Sequence, residues 1–69
     1  MNTIDHKKIG SNIKRLIKES HFKTQANFAL ACGKGIRTVG HWVQDGVDNT
    51  KIINLIVETL KVDVMDILF

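Results

Sequence analysis

Proline and tyrosine are absent from this 69-residue chain, and cysteine and tryptophan occur once each. Each absence excludes something. Without proline, no position carries the locked φ and missing amide that break a helix. A chain rich in Ile, Leu, Lys and Asn is then free to be helical, although its many Ile and Val residues also tolerate strands. A single thiol, Cys32, excludes an internal disulfide, and with His6, His21 and His41 scattered no zinc-ligand spacing exists. Cys32 stands among Ala29, Ala31 and Gly33 with no activating neighbour, the setting of a small core residue rather than a reactive one. No apolar run approaches the ~18 residues of a membrane span, and no charged-then-apolar leader opens the chain. No membrane partner is expected, and a cytoplasmic location is. Glu58 and the aspartates have no histidine or nucleophile at matching spacing, and there is no phosphate-cradling glycine loop. No enzyme, cofactor or metal is expected.

What the chain does have is segregated charge. Residues 1–44 carry eight Lys or Arg against Asp5 and Glu19, whereas residues 45–69 carry Lys51 and Lys61 against five acids. That asymmetry suits a domain whose basic end meets a polyanion, although a solvated basic helix face gives the same pattern. No linker, repeat or low-complexity stretch intervenes, so residues 1–69 read as one domain. At this length burial is marginal, and a partner subunit can add to it.

Helix signals follow one another along the chain. Residues 1–5 read as a flexible N-terminal arm ending in Asp5, which is placed to cap a first helix with Ile9, Ile13, Leu16 and Ile17 at helical spacing. Lys14, Arg15 and Lys18 fall largely off that stripe. Ser20–Lys23 breaks the pattern, with Phe22 folded back as a core anchor. Thr24 caps a second helix, Gln25 to Cys32, presenting Phe28, Ala29 and Cys32 inward, and Gly33 ends it. A third helix runs from about Ile36 to Gln44, with Ile36, Val39, Trp42 and Val43 as its apolar members. Asp45-Gly46 is a turn signal, and Asp48-Asn49-Thr50 supplies caps for a fourth helix bearing Ile52, Ile53, Leu55, Ile56 and Leu60. Asp63 caps a short fifth helix with Val64, Met65, Ile67 and Leu68. A strand over Val62 to Phe69 is the alternative, but a lone strand has nothing to pair with. The expected fold is all-α, a compact bundle of five helices.

The stretch Thr24 to Gln44 carries the functional signal. It gives two short helices about a glycine turn, with a small residue, Ala29, where they approach closely. Val39 and Trp42 face the core, which leaves Lys34, Arg37, Thr38 and His41 to project outward. A short helix with a polar, basic outer face fits a major groove. In its Gln25, Ala29 and Gly33, then Gly35, Val39 and Gly40, then the turn after Trp42-Val43-Gln44, this stretch resembles the helix-turn-helix family of phage repressors and Cro proteins. Leu60-Lys61-Val62-Asp63-Val64 is similar to that family's junction between the last two core helices. The likeness spans residues 9 to 68.

The resemblance implies a lambda-repressor-like domain acting as a small phage or prophage regulator in a bacterial host cell. The third helix would read double-stranded operator DNA, as a dimer on pseudo-palindromic sites. Carried over by position, Gln25 would sit against a phosphate, Gln44 would clamp a second one, and Ile36 and Arg37 would meet base edges. Lys34, Gly35, Thr38 and His41 complete the expected DNA-binding set. Ile36 is apolar where the family has a glutamine, which suits a thymine methyl, while Arg37 suits guanine. The loop after Gln44 is one residue longer than the family's usual loop. Gly40 lies inside a helix, for which close packing against a helix or the DNA backbone is the usual reason. The apolar end, Met65, Ile67, Leu68 and Phe69, is expected either to finish the core or to form a homodimer or partner surface. No separate ligand-sensing domain is expected in so short a chain. A second reading, from a different class, is a phage modulator or antirepressor that uses the fold to bind a repressor protein; apolar Ile36 and two glycines, where a DNA reader often has hydrogen-bonding groups, fit a surface that covers another protein.

Overall fold

Helix starts in this chain are set by oxygen-bearing side chains, as a computed structural model describing residues 5–69 shows. The Asp5 carboxylate accepts from the Lys7 amide at 2.9 Å and opens α1, His6–Glu19. The Thr24 hydroxyl accepts from the Asn27 amide at 3.1 Å and opens α2, Gln25–Cys32. Asn49 accepts from Lys51 and Ile52 ahead of α4, Thr50–Leu60. Asp63 accepts from Met65 while Asp66 reaches back to the Asp63 amide, a reciprocal capping box that opens α5, Val64–Leu68. Only α3, Ile36–Asp45, starts without a side-chain cap, at Gly35. The first-turn amides otherwise have no intrahelical partner, so each cap replaces a bond the helix cannot make itself.

The expected order of five helices is what the chain forms, with no strand among the described residues. Val62 to Phe69 is helical over α5 rather than extended. The third helix runs one residue past Gln44. Asp5, expected in the arm, is held as the α1 cap; residues 1–4, the rest of that arm, lie outside the described residues.

The core is built on α1. Its Ile9, Ile13 and Ile17 are fully buried against Phe28 and Ala29 of α2, Val39 and Trp42 of α3, Ile53, Ile56 and Leu60 of α4, and Ile67 of α5. Phe22 packs its ring edge-on to Phe28, centroids 5.7 Å apart, from the α1–α2 loop. Asn12 is the one buried polar side chain among the described residues; its Nδ2 donates to the Ile67 carbonyl at 2.9 Å and ties α5 to α1.

Two glycines fix how α3 lies on α1. A Cβ at Gly10 would overlap the Val43 carbonyl, and a Cβ at Gly46 would overlap the His6 carbonyl. The two helices therefore approach to backbone contact at both places. Of the two reasons expected for Gly40, close helix packing does not hold: a Cβ there meets nothing within 4 Å.

Candidate nucleic-acid interface

A short, glycine-bounded link joins α2 to α3. Gly33 takes a left-handed conformation at φ 71° and donates its amide back into α2, and the Lys34 amide donates to the Ala29 carbonyl at 3.0 Å. Ala29, small and 2% exposed, lies beneath that turn. The chain then restarts at Gly35 and enters α3. Val39 and Trp42 turn inward, and the outward positions Ile36, Arg37, Thr38, His41 and Gln44 are all exposed.

Ile36 is 58% exposed, so it leaves the apolar stripe of α3 to which periodicity assigned it. Gln25, half-buried at the start of α2, shares a cleft with Ile36 although eleven positions separate them in sequence. That cleft holds about 390 Å³ and is also lined by Lys14, Ile17, Lys18, Lys23, Thr24 and Ala26. Thr24 has already taken the Asn27 amide, and the Phe28 amide goes to the Thr24 carbonyl. The first-turn amides of Gln25 and Ala26 have no intrahelical partner, and the cleft these residues line is also lined by three lysines, a setting in which helix dipole and charge favour an anion.

Lys14, Lys18 and Lys23 were not among the residues expected here. Lys14 and Lys18 share one face of α1 by their i, i+4 spacing, which was visible. What could not be read was that this face borders α2's first turn. Lys23 reaches the cleft from a left-handed residue, φ 67°, a conformation nothing in its side chain announces. Leu30, 80% exposed on the outer side of α2, was also missed.

Lys34 and Gly35 are exposed, and a Cβ at Gly35 would meet nothing within 4 Å. His41 Nδ1 lies 3.6 Å from the Asp45 carboxylate, both groups being solvent-facing. Asp45 therefore places a negative charge at the far end of an otherwise polar and basic helix face. Cys32 points the other way, toward α4. Burial pushes its thiol above the ordinary range, opposed by hydrogen bonding with Thr59 and by the Lys34 charge.

At the other end, Met65 and Phe69 are each 55% exposed and Val64 is exposed as well. Ile67 is not available to a partner: it is fully buried, and its carbonyl is taken by Asn12. Leu68 is half-buried against the core. The α5 end is thus divided between core and surface, with the inward pair on one side of a single helical turn.

Among the described residues no helix is long and apolar enough to cross a membrane, and no three His, Cys, Asp or Glu side chains gather as a metal site. No protein-family model, curated protein or solved structure matches the chain.

Proposed function

We propose that this chain is a sequence-specific DNA-binding regulator of the small phage-repressor type, with α2 and α3 acting as a helix-turn-helix and α3 entering the major groove. The observation that carries this reading is the convergence of Gln25 and Ile36 on one cleft edged by Lys14, Lys18 and Lys23, directly beside the exposed Arg37. In it, a DNA phosphate lies at the start of α2, accepting from the Gln25 side chain and the first-turn amides. Ile36 then packs on a thymine methyl and Arg37 donates two hydrogen bonds to a guanine edge, a pairing worth about 1–3 kcal/mol of base discrimination. Lys34 and Gln44 hold flanking phosphates.

Fluorescence anisotropy with a labelled mixed-sequence duplex at low and moderate salt tests this first, followed by operator selection. Arg37→Ala is expected to lose about 1–3 kcal/mol on the selected site and relax preference at one base pair, whereas Lys34→Ala weakens all sequences alike and lowers the salt slope by about 1. If both substitutions leave affinity and salt dependence unchanged, the groove reading is wrong.

A second reading draws on a specific feature, the exposure of two large apolar side chains, Leu30 at 80% and Ile36 at 58%. Large apolar side chains gain little from phosphate and much from a protein surface. Here the face docks on a repressor's DNA-binding domain and blocks it. Leu30→Glu separates the two readings: it abolishes protein docking and leaves base discrimination by Arg37 in place.

A further inference from the structure

Among the described residues, two that are not glycine have a positive φ, Lys23 at 67° and Lys61 at 58°. Lys61 is accounted for by the fold: it is the C-cap of α4, and helices commonly end on a left-handed residue. Lys23 has no such reason. The C-cap of α1 is Ser20 and the N-cap of α2 is Thr24, so Lys23 belongs to neither helix. A side chain bearing a Cβ resists this region, which glycine or asparagine enters more easily. The surrounding bonds enforce it. The Thr24 amide donates to the Phe22 carbonyl at 2.7 Å, closing a three-residue turn with Lys23 at its centre, and a positive central φ is the rare, strained hand of such a turn. The same carbonyl accepts from Asn27 Nδ2 at 3.0 Å, and the Phe22 amide donates to the Ser20 hydroxyl at 3.2 Å. The Phe22 ring is held edge-on against Phe28. Both neighbours of Lys23 are fixed, and the strain falls on the residue between them.

Residues kept in unfavourable backbone regions by their surroundings concentrate where a ligand is gripped. Lys23 fits that pattern, because it lines the cleft of about 390 Å³ that Gln25 and Ile36 share, with Lys14 and Lys18 of α1. It is exposed. The only ion pair among the described residues is His41–Asp45, so no carboxylate neutralises Lys23. We propose that Lys23 grips a DNA phosphate: the strained turn holds it at the cleft, where its ammonium meets the phosphate that lies at the start of α2. This inference rests on the DNA reading and adds to it a contact from outside the two helices of the helix-turn-helix. A lysine stands at this position despite the strain because the contact needs its charge, which glycine or asparagine would not supply.

Anisotropy titrations with a labelled duplex at about 50 mM and about 200 mM salt, paired with urea unfolding, test it on Lys23→Gly, Lys23→Ala and Lys23→Arg. Lys23→Gly relieves the turn and removes the charge, so it is expected to unfold at higher urea than the wild type and yet to bind DNA more weakly. Lys23→Ala keeps the strain and loses the charge, so it weakens binding without the gain in stability. Lys23→Arg keeps both and binds as the wild type does. One phosphate contact fewer lowers the salt slope by about 1. The wild type's advantage over either uncharged variant should therefore shrink about three- to fourfold between the two salts. A Lys23→Ala chain with the wild-type salt slope overturns the proposal, and a Lys23→Gly chain less stable than the wild type overturns the strain on which it stands. A wild type that shows no salt-dependent binding overturns the groove reading itself, and this contact with it. The wild-type titration alone tells the two failures apart.

Discussion

Two helical glycines in this chain should respond to alanine with opposite signs. Gly40 sits inside α3, and a Cβ built on it meets nothing within 4 Å. Replacing it therefore adds no clash and removes the conformational freedom that glycine gives the unfolded chain. In a helix interior that difference is about 0.8–1.0 kcal/mol in favour of alanine. For a domain of this size, such a gain raises Tm by roughly 4–8 °C. Gly10 sits inside α1, and its added Cβ would overlap the Val43 backbone carbonyl. The same propensity gain applies, but the obstacle is main chain and cannot rotate away. Forcing helices apart in a packed core costs about 1–3 kcal/mol, so Gly10→Ala should be net destabilising by up to about 2 kcal/mol once the gain is offset. Urea unfolding followed by circular dichroism measures both variants with one protocol. A Gly10→Ala variant as stable as Gly40→Ala would refute the close α1–α3 contact. A destabilised Gly40→Ala would refute the open space over α3.

Asn12→Ala should lower stability by about 1–3 kcal/mol, since it strands the Ile67 carbonyl that Asn12 satisfies at 2.9 Å in the core; urea titration with an unchanged midpoint would dismiss that bond. Asp45→Asn should leave stability within about 0.5 kcal/mol, because the His41–Asp45 pair is solvent-exposed, and should tighten DNA binding by removing an acid from the reading face; unchanged or weaker anisotropy titrations would count against that placement. Cys32 should react with iodoacetamide more slowly in the native chain than in the urea-unfolded one at the same mildly alkaline pH. Its thiol is held above the ordinary range by burial, so the folded state favours the neutral form. That contribution is present below the unfolded thiol's pKa and is lost as pH rises through the folded one. Equal rates in both states would remove the argument.

The cap residues made most of the fold legible. Asp5, Thr24, Asn49 and Asp63 each precede an apolar periodic stretch, and each accepts an amide as its type requires. The inward residues of α1 and α4 were equally plain, since Ile9, Ile13 and Ile17, or Ile53, Ile56 and Leu60, repeat at helical spacing. In α2 the same reading placed Phe28, Ala29 and Cys32 inward, and Phe28 and Ala29 are buried with Cys32 packed against the core; what it did not single out is Leu30, 80% exposed on the same helix. Ile36 was read both as an apolar member of α3 and as a residue turned to a base edge, and at 58% exposure it lies outside the core. Gly40 and Gly10 show the same limit in backbone terms. Both are helical glycines, but close approach depends on what lies across the helix, which is α1 against α3 at Gly10 and solvent at Gly40.

The helix α3 has little local support of its own. It lacks a side-chain N-cap, contains Gly40, and begins with an exposed isoleucine. What fixes it is α1: Val39 and Trp42 are buried in the shared core, and Gly10 and Gly46 let the two backbones touch near both ends of the contact. The cleft that joins Gln25 to Ile36 is lined by Lys14, Ile17 and Lys18 of the same helix. The candidate reading face is thus positioned from behind by α1, and its geometry is borrowed from that packing rather than from the propensity of α3. A Gly10→Ala chain that still folds should accordingly bind DNA more weakly than its loss of stability explains, because any outward shift of α3 separates Ile36 and Arg37 from the phosphate position at Gln25. Anisotropy titrations at a temperature where the variant is fully folded measure that excess directly. Wild-type affinity there would mean that α3 keeps its place without the backbone contact, and that the face is set by α2 instead.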